Sequence, residues 1–126
     1  MLWKEAEPKP GCGVRTRVSF YYHYGIFISP EEVIQFGLPD DPTCPGLDIR
    51  VLKTDVYTFL QGGTLEVGFP EKQERKTLRP AKQVIALARS RLGEGGYDLF
   101  QNNCEHFMNQ CLFGEKRPSI FQALRK

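Results

Sequence analysis

The chain of 126 residues has no apolar run near the roughly 18–20 residues that cross a bilayer, so no spanning helix is expected. Its opening, MLWKEAEPKPGCG, carries acidic residues and lacks the apolar core of a secretory signal, which gives a cytoplasmic reading for the chain as it stands. Four cysteines are present, Cys12, Cys44, Cys104 and Cys111, but there is no C-x-x-C, which removes the usual support for a zinc ribbon or a redox pair. Without an export signal, free thiols are expected in preference to disulfides. Histidines number only two, His23 and His106, so a metal site would have to gather ligands from scattered places. The formal net charge of +2 is too small to imply a nucleic-acid partner. No internal repeat or low-complexity linker divides the chain.

What is there fits one domain with an ordinary core: 40% apolar and 25% charged residues, over a length suited to a single unit. The charge is uneven. Residues 1–70 hold 6 Lys/Arg against 9 Asp/Glu, while residues 71–126 hold 11 against 6. A basic second half suits peripheral contact with an anionic membrane, and solvated helix faces would read the same way.

The first part of the chain has strand character. VRTRVSF alternates loosely, and YYHYGIFI (21–28) is aromatic and β-branched, the composition of a buried strand. SPEE turns the chain into VIQFG, a second short strand, and LPDDPTCPG (38–46) reads as a loop. DIRVLK and TLEVGF are further strands. Between them Thr54 or Asp55 is placed to cap a helical turn over VYTFLQ, ended by two glycines.

The period then changes. Pro80 fits the start of a helix and Gly93 its end, with Ala81, Val84, Ile85, Ala88 and Leu92 forming an apolar face. EGGYDLF reads as a loop or short extended piece. Asn102 or Asn103 caps a second helix, which pairs Phe107 with Cys111 and Met108 with Leu112 and ends at Gly114. Residues 116–126 read as a helical tail. Strands first and helices second predict an α+β class with a small antiparallel sheet packed on helices.

The segment QNNCEHFMNQ concentrates the chemistry. With Asn103 as cap, Cys104 takes the first helical position, where unpaired N–H groups and the helix dipole favour thiolate and supply donors for an oxyanion. His106 lies about 200° further round the helix, so it is a poor base for Cys104 and a poor partner for a metal; a structural role suits it better. His23, distant in sequence, is the other candidate base, although a strand histidine is often only a core residue. Gln35 is the polar side chain of the next strand. It either accepts a hydrogen bond from the imidazole and orients it, or faces solvent from an edge strand.

These residues carry a family resemblance. NNCEHFMNQCLFG resembles the NCEHF signature of the lecithin retinol acyltransferase-like (LRAT-like) domain, a group that includes the HRAS-like suppressor phospholipase/acyltransferases and is related to NlpC-type cell-wall peptidases. YYHYGIFIS followed by EEVIQFG resembles the family's histidine-bearing strand pair, and the step of twelve from His23 to Gln35 equals the usual step between its two histidines. RPAKQVIALARSRLGEGGYDLFQNNCEHF resembles the helix and glycine break before the nucleophile. The resemblance covers residues 10–115 within a single domain, 1–126.

It implies a circularly permuted papain-like fold. Cys104 would be the nucleophile that takes an acyl group as a thioester, His23 the general base and acid, and Gln35 the third residue. Tyr21 and Asn103 would support the oxyanion site. No cofactor and no metal is implied. The implied substrate is an acyl lipid or acyl amide, and the implied activity an acyltransferase or hydrolase; an amidase or peptidase, or a binding module with weak turnover, are the alternatives. Two positions depart from the pattern: Gln35 stands in place of the second histidine, and Cys12 in place of the usual aspartate after Gly11. Arg15 and Arg17 are candidates for holding an anionic head group, or are exposed strand arginines. Nothing in the sequence sets the oligomeric state.

Overall fold

In the computed structural model, which describes residues 1–18, 21–37, 49–98 and 103–114, six strands form one antiparallel sheet. They are β1 (Leu2–Lys4), β2 (Cys12–Val18), β3 (Tyr21–Ser29), β4 (Glu32–Gly37), β5 (Arg50–Thr54) and β6 (Glu66–Phe69), arranged in the order β1-β6-β2-β3-β4-β5. Four helices complete the described chain: α1 (Val56–Leu60), α2 (Lys72–Arg75), α3 (Ala81–Ser90) and α4 (Cys104–Phe113). The class is α+β, as expected.

β3 is the centre of the sheet. Its nine residues pair with β2 along Cys12–Val18 and with β4 along Glu32–Gln35, with a register shift between Phe27 and Ser29. Tyr24, Ile26 and Ile28 point to one face and Phe27 to the other, and both faces are covered. On one side α4 lays Phe107, Met108, Cys111 and Leu112 against Tyr24, Ile26, Ile34 and Phe36, with Val84 and Ala88 of α3 alongside. On the other, Phe59 of α1 packs with Val14, Phe27, Val33 and Val67. Near-continuous burial of β3 and β4 follows from this double cover.

The local signals worked where they were strong. Asp55, not Thr54, caps α1, its side chain accepting from the Thr58 N–H at 2.7 Å, and Gln61 closes the turn in the left-handed region before Gly62. Pro80 precedes α3 and Asn103 caps α4, which ends on left-handed Gly114. The apolar face of α3 is narrower than predicted. The helix stops at Ser90, so Leu92 lies beyond it and is 43% exposed, and Ala81 is exposed as well. Two elements were not predicted, β1 and α2. The loop over 38–46 and the tail over 116–126 lie outside the described residues.

Part of the basic second half is engaged. Arg89 makes two bonds of 2.9 and 2.8 Å to the Glu32 carboxylate, and Arg91 pairs with Glu94 while reaching Gln110 of α4 at 2.6 Å. Cys12, Cys104 and Cys111 are free thiols. Among the described residues, no helix is long and apolar enough to cross a membrane.

Candidate active site

Strand register builds the first part of the site. Gly25 of β3 stands opposite Gln35 of β4, and Gln35 opposite Leu52 of β5, while Val33 faces Thr54. By alternation His23, Gln35 and Thr54 then share one face and lie on successive diagonals across three strands. Their side chains are joined. The Gln35 Oε1 meets His23 Nε2, and the Gln35 Nε2 donates to Thr54 Oγ1 at 2.8 Å. All three residues are buried. Burial holds His23 below the ordinary imidazole range, and the Gln35 bond works weakly in the other direction.

The setting of the imidazole explains three nearby residues. The β3–β4 ladder stops at Gly25 and Gln35, and the ring of His23 fills the space beyond it against Gly37. A Cβ on Gly37 would stand 2.7 Å from His23 Cε1, so the ring's position depends on that glycine. The space that Gly25 leaves open beside His23 is taken by Phe59, whose Cε1 lies 2.9 Å from where a Gly25 Cβ would be. Phe59 stacks on the imidazole with centroids 5.3 Å apart.

Cys104 opens α4 on the opposite core face. Asn103 Oδ1 accepts from the His106 N–H at 3.0 Å, and the Asn103 N–H donates to His106 Nδ1 at 3.2 Å. This reciprocal cap fixes the turn that presents Cys104. Both Asn103 and His106 are buried, and His106 has the structural role expected of it. The backbone groups at the helix start act on the Cys104 thiol in the expected direction, but burial acts against them and is larger. Burial pushes the thiol up to about 11, outweighing the backbone hydrogen bonding from Tyr24, Glu105 and Cys104 itself that pulls it down.

Beside the thiol stands an aromatic wall. Trp3 meets Tyr24 edge-on with centroids 5.6 Å apart, and Tyr22 lies 6.4 Å from Tyr24. Arg15 stacks over Tyr22 at 3.8 Å and over Trp3 at 4.7 Å, and its Nε binds Glu66 at 2.6 Å. Arg15 is thus occupied within the fold, where the sequence offered it for a head group. Burial also raises the Tyr24 hydroxyl to about 12, with Glu105 adding to the effect.

The structure therefore brings His23 and Gln35 together and seats Cys104 against the backbone of Tyr24, one residue along β3 from His23. Among the described residues no hydrogen bond joins the thiol to the imidazole. Gln35 is not a solvent-facing edge residue, because β4 lies between β3 and β5. Tyr21 begins β3 opposite Val18 and is half-buried. The side chain of Asn103 serves the cap. Arg17 is exposed near the end of β2.

Comparison with known sequences places the chain in a family. The family profile described as lecithin retinol acyltransferase matches residues 6–117. The chain belongs to this family. Relatives include phospholipase A and acyltransferase 3 of Homo sapiens, 25% identical over 120 residues that span 88% of this chain and 74% of the relative. The Mus musculus protein of the same name is 27% identical over 126 residues, 93% of this chain and 78% of its own length. Phospholipase A and acyltransferase 2 of Homo sapiens is 24% identical over 123 residues, 89% and 76% respectively. Within this member of the lecithin retinol acyltransferase family, three residues at the site escaped the sequence reading: Thr54, Phe59 and Gly37. In the sequence Thr54 reads only as a helix cap. Its place at the end of a strand, diagonal to Gln35, becomes readable only once the β4–β5 register is known.

Proposed function

We propose that this chain is a thiol acyltransferase or acyl hydrolase that takes an acyl group from an ester, with phospholipids and other acyl lipids as the first substrate class, through a thioester on Cys104. Its family and the names of its relatives, phospholipase A and acyltransferase, support the reaction class. The observation that carries the assignment of residues is the bond between His23 and Gln35: a buried imidazole with one nitrogen held by a neutral amide, at the positions that resemble the family's histidine pair.

In the resting site the thiol and the imidazole are both neutral, since burial raises Cys104 and lowers His23. The proton leaves sulfur only as sulfur attacks. Cys104 Sγ bonds to the ester carbonyl carbon while His23 takes the thiol proton past the end of the β3–β4 ladder, which stops at Gly25 and Gln35 and leaves no paired backbone between the two faces there. Negative charge gathers on the carbonyl oxygen, where the amides at the start of α4 are the donors and Tyr21 lines the site. The acyl carbon–oxygen bond then breaks, and His23 returns the proton to the departing alcohol. Water attacking the thioester completes hydrolysis, and an amine or hydroxyl acceptor completes transfer; in either case His23 takes the acceptor's proton and gives it to sulfur. Gln35 orients the ring without offering a charge to the imidazolium.

A second reading, a module that keeps the fold and turns over slowly, is favoured by the depth of Cys104: an inert structural cysteine is buried in the same way. Parallel turnover of a p-nitrophenyl ester, phosphatidylcholine vesicles and a dipeptide amide separates the readings. Ester and phospholipid cleavage abolished by Cys104→Ala is the expected result. Amide cleavage alone would move the chain to the amidase class, and no turnover of any of the three would leave the binding module.

A further inference from the structure

We propose that Thr54 is a positioning residue that decides which nitrogen of His23 carries the proton, an inference that rests on the reading of His23 as the base. A glutamine amide has two unlike ends, a carbonyl oxygen that only accepts and an amino group that only donates. In the structure the amino end of Gln35 is held by Thr54 Oγ1 at 2.8 Å, and the oxygen end is turned to His23 Nε2. An oxygen there requires a proton on Nε2. Because burial disfavours the charged ring, His23 carries one proton, and Nδ1 keeps the lone pair. Thr54 thus reaches the reaction through Gln35, selecting Nδ1 as the nitrogen that accepts the thiol proton.

The geometry gives Thr54 few other duties. It sits at the end of β5, buried, opposite Val33, and Asp55 rather than Thr54 caps α1. Gln35 is likewise buried, so water is not at hand to replace the hydroxyl. With valine at position 54 the shape is kept and the acceptor is lost. The amide of Gln35 is then free to turn over, present its amino group to Nε2 and move the ring proton to Nδ1. A threonine hydroxyl can also donate, in which case the turned amide would exist already in the natural chain; the tautomer of the ring distinguishes the two.

Nitrogen–proton correlation NMR on the full chain with isotope-labelled histidine reads that tautomer without any substrate. His106 is an internal reference: its Nδ1 accepts from the Asn103 N–H, so it reports the Nε2-protonated pattern whenever α4 is folded. The natural chain is expected to give His23 protonated at Nε2. Thr54→Val is expected to shift His23 toward Nδ1 protonation with His106 unchanged, and Thr54→Ser to restore it. Ester turnover should follow, with kcat down by about tenfold or more, KM little altered, and recovery in the serine variant. His23 protonated at Nδ1 in the natural chain overturns the proposal, as does an unchanged His23 pattern in Thr54→Val. Should the valine variant lose the His106 pattern through misfolding, the natural chain's tautomer and the smaller change Thr54→Ala decide in its place. A chain with no turnover at all but with the expected tautomers would overturn the catalytic reading and leave the role of Thr54 in place.

Discussion

The ring of Phe59 lies against the imidazole of His23, with centroids 5.3 Å apart and planes tilted by 33°. A five-residue helix thereby closes one side of the site, because Phe59 is its only fully buried residue. Removing the ring by Phe59→Ala should cost about 3–5 kcal/mol of stability, since a cavity remains between Val33, Phe27 and His23. Phe59→Leu should cost less and keep more activity. Urea unfolding midpoints compared with ester turnover check this, with activity expected to fall in the same order as stability.

The cap of α4 makes a second prediction. Asn103 accepts from the buried N–H of His106, so Asn103→Ala should lose about 1–2 kcal/mol, near the upper part of the range for such caps. Asn103→Asp or Asn103→Ser keeps an acceptor and should recover most of it. Because Cys104 is the next residue, the alanine variant should also lose acyl transfer more steeply than its stability alone accounts for. Thermal melts and turnover of the three variants side by side test this.

How far this site was legible depended on whether the signal was local. Asn103, Asp55, Pro80 and Gly114 mark helix ends through their own chemistry, and the step of twelve from His23 to Gln35 lies within one hairpin. β1 has three residues and pairs with β6, more than sixty positions away, so nothing near Leu2 announces a strand. α2 has four residues and no buried face; its one signal, the reciprocal Glu71 and Glu74 cap, is a weak one in a charged stretch. Strand alternation does not tell which face of β3 and β4 is covered, because α1 and α4 cover both. The state of Cys104 is hidden for the same reason: a helix start is visible in sequence, whereas the depth of burial that outweighs it is a product of the whole fold.

That burial has a consequence in pH. With the thiol raised to about 11, Cys104 is almost wholly protonated at neutral pH. Alkylation by iodoacetamide in the folded chain should be slower at neutral pH than for a free cysteine, and should rise steadily as pH is taken up toward about 11. Peptide mapping of the alkylated thiols over a pH series checks it, with the urea-unfolded chain as the fast reference.

His23 gives the opposite dependence. Its folded value lies below the ordinary 6.5, so over the interval between the two the unfolded chain binds the proton and the folded chain does not. Stability should therefore decline as pH falls through 6.5 toward the folded value, and this contribution should level off below it. His23→Gln removes the titrating group and should flatten that stretch. Unfolding free energy measured against pH for both chains reveals the difference.

The measurement that bears most directly on the account is intact mass and peptide mapping of the chain after brief incubation with an activated acyl ester, quenched in acid. The account requires one acyl group, on Cys104, released by hydroxylamine as a thioester is, absent in Cys104→Ala and formed much more slowly in His23→Gln. A folded chain that acquires no acyl group on Cys104, or acquires it equally fast without His23, would contradict it.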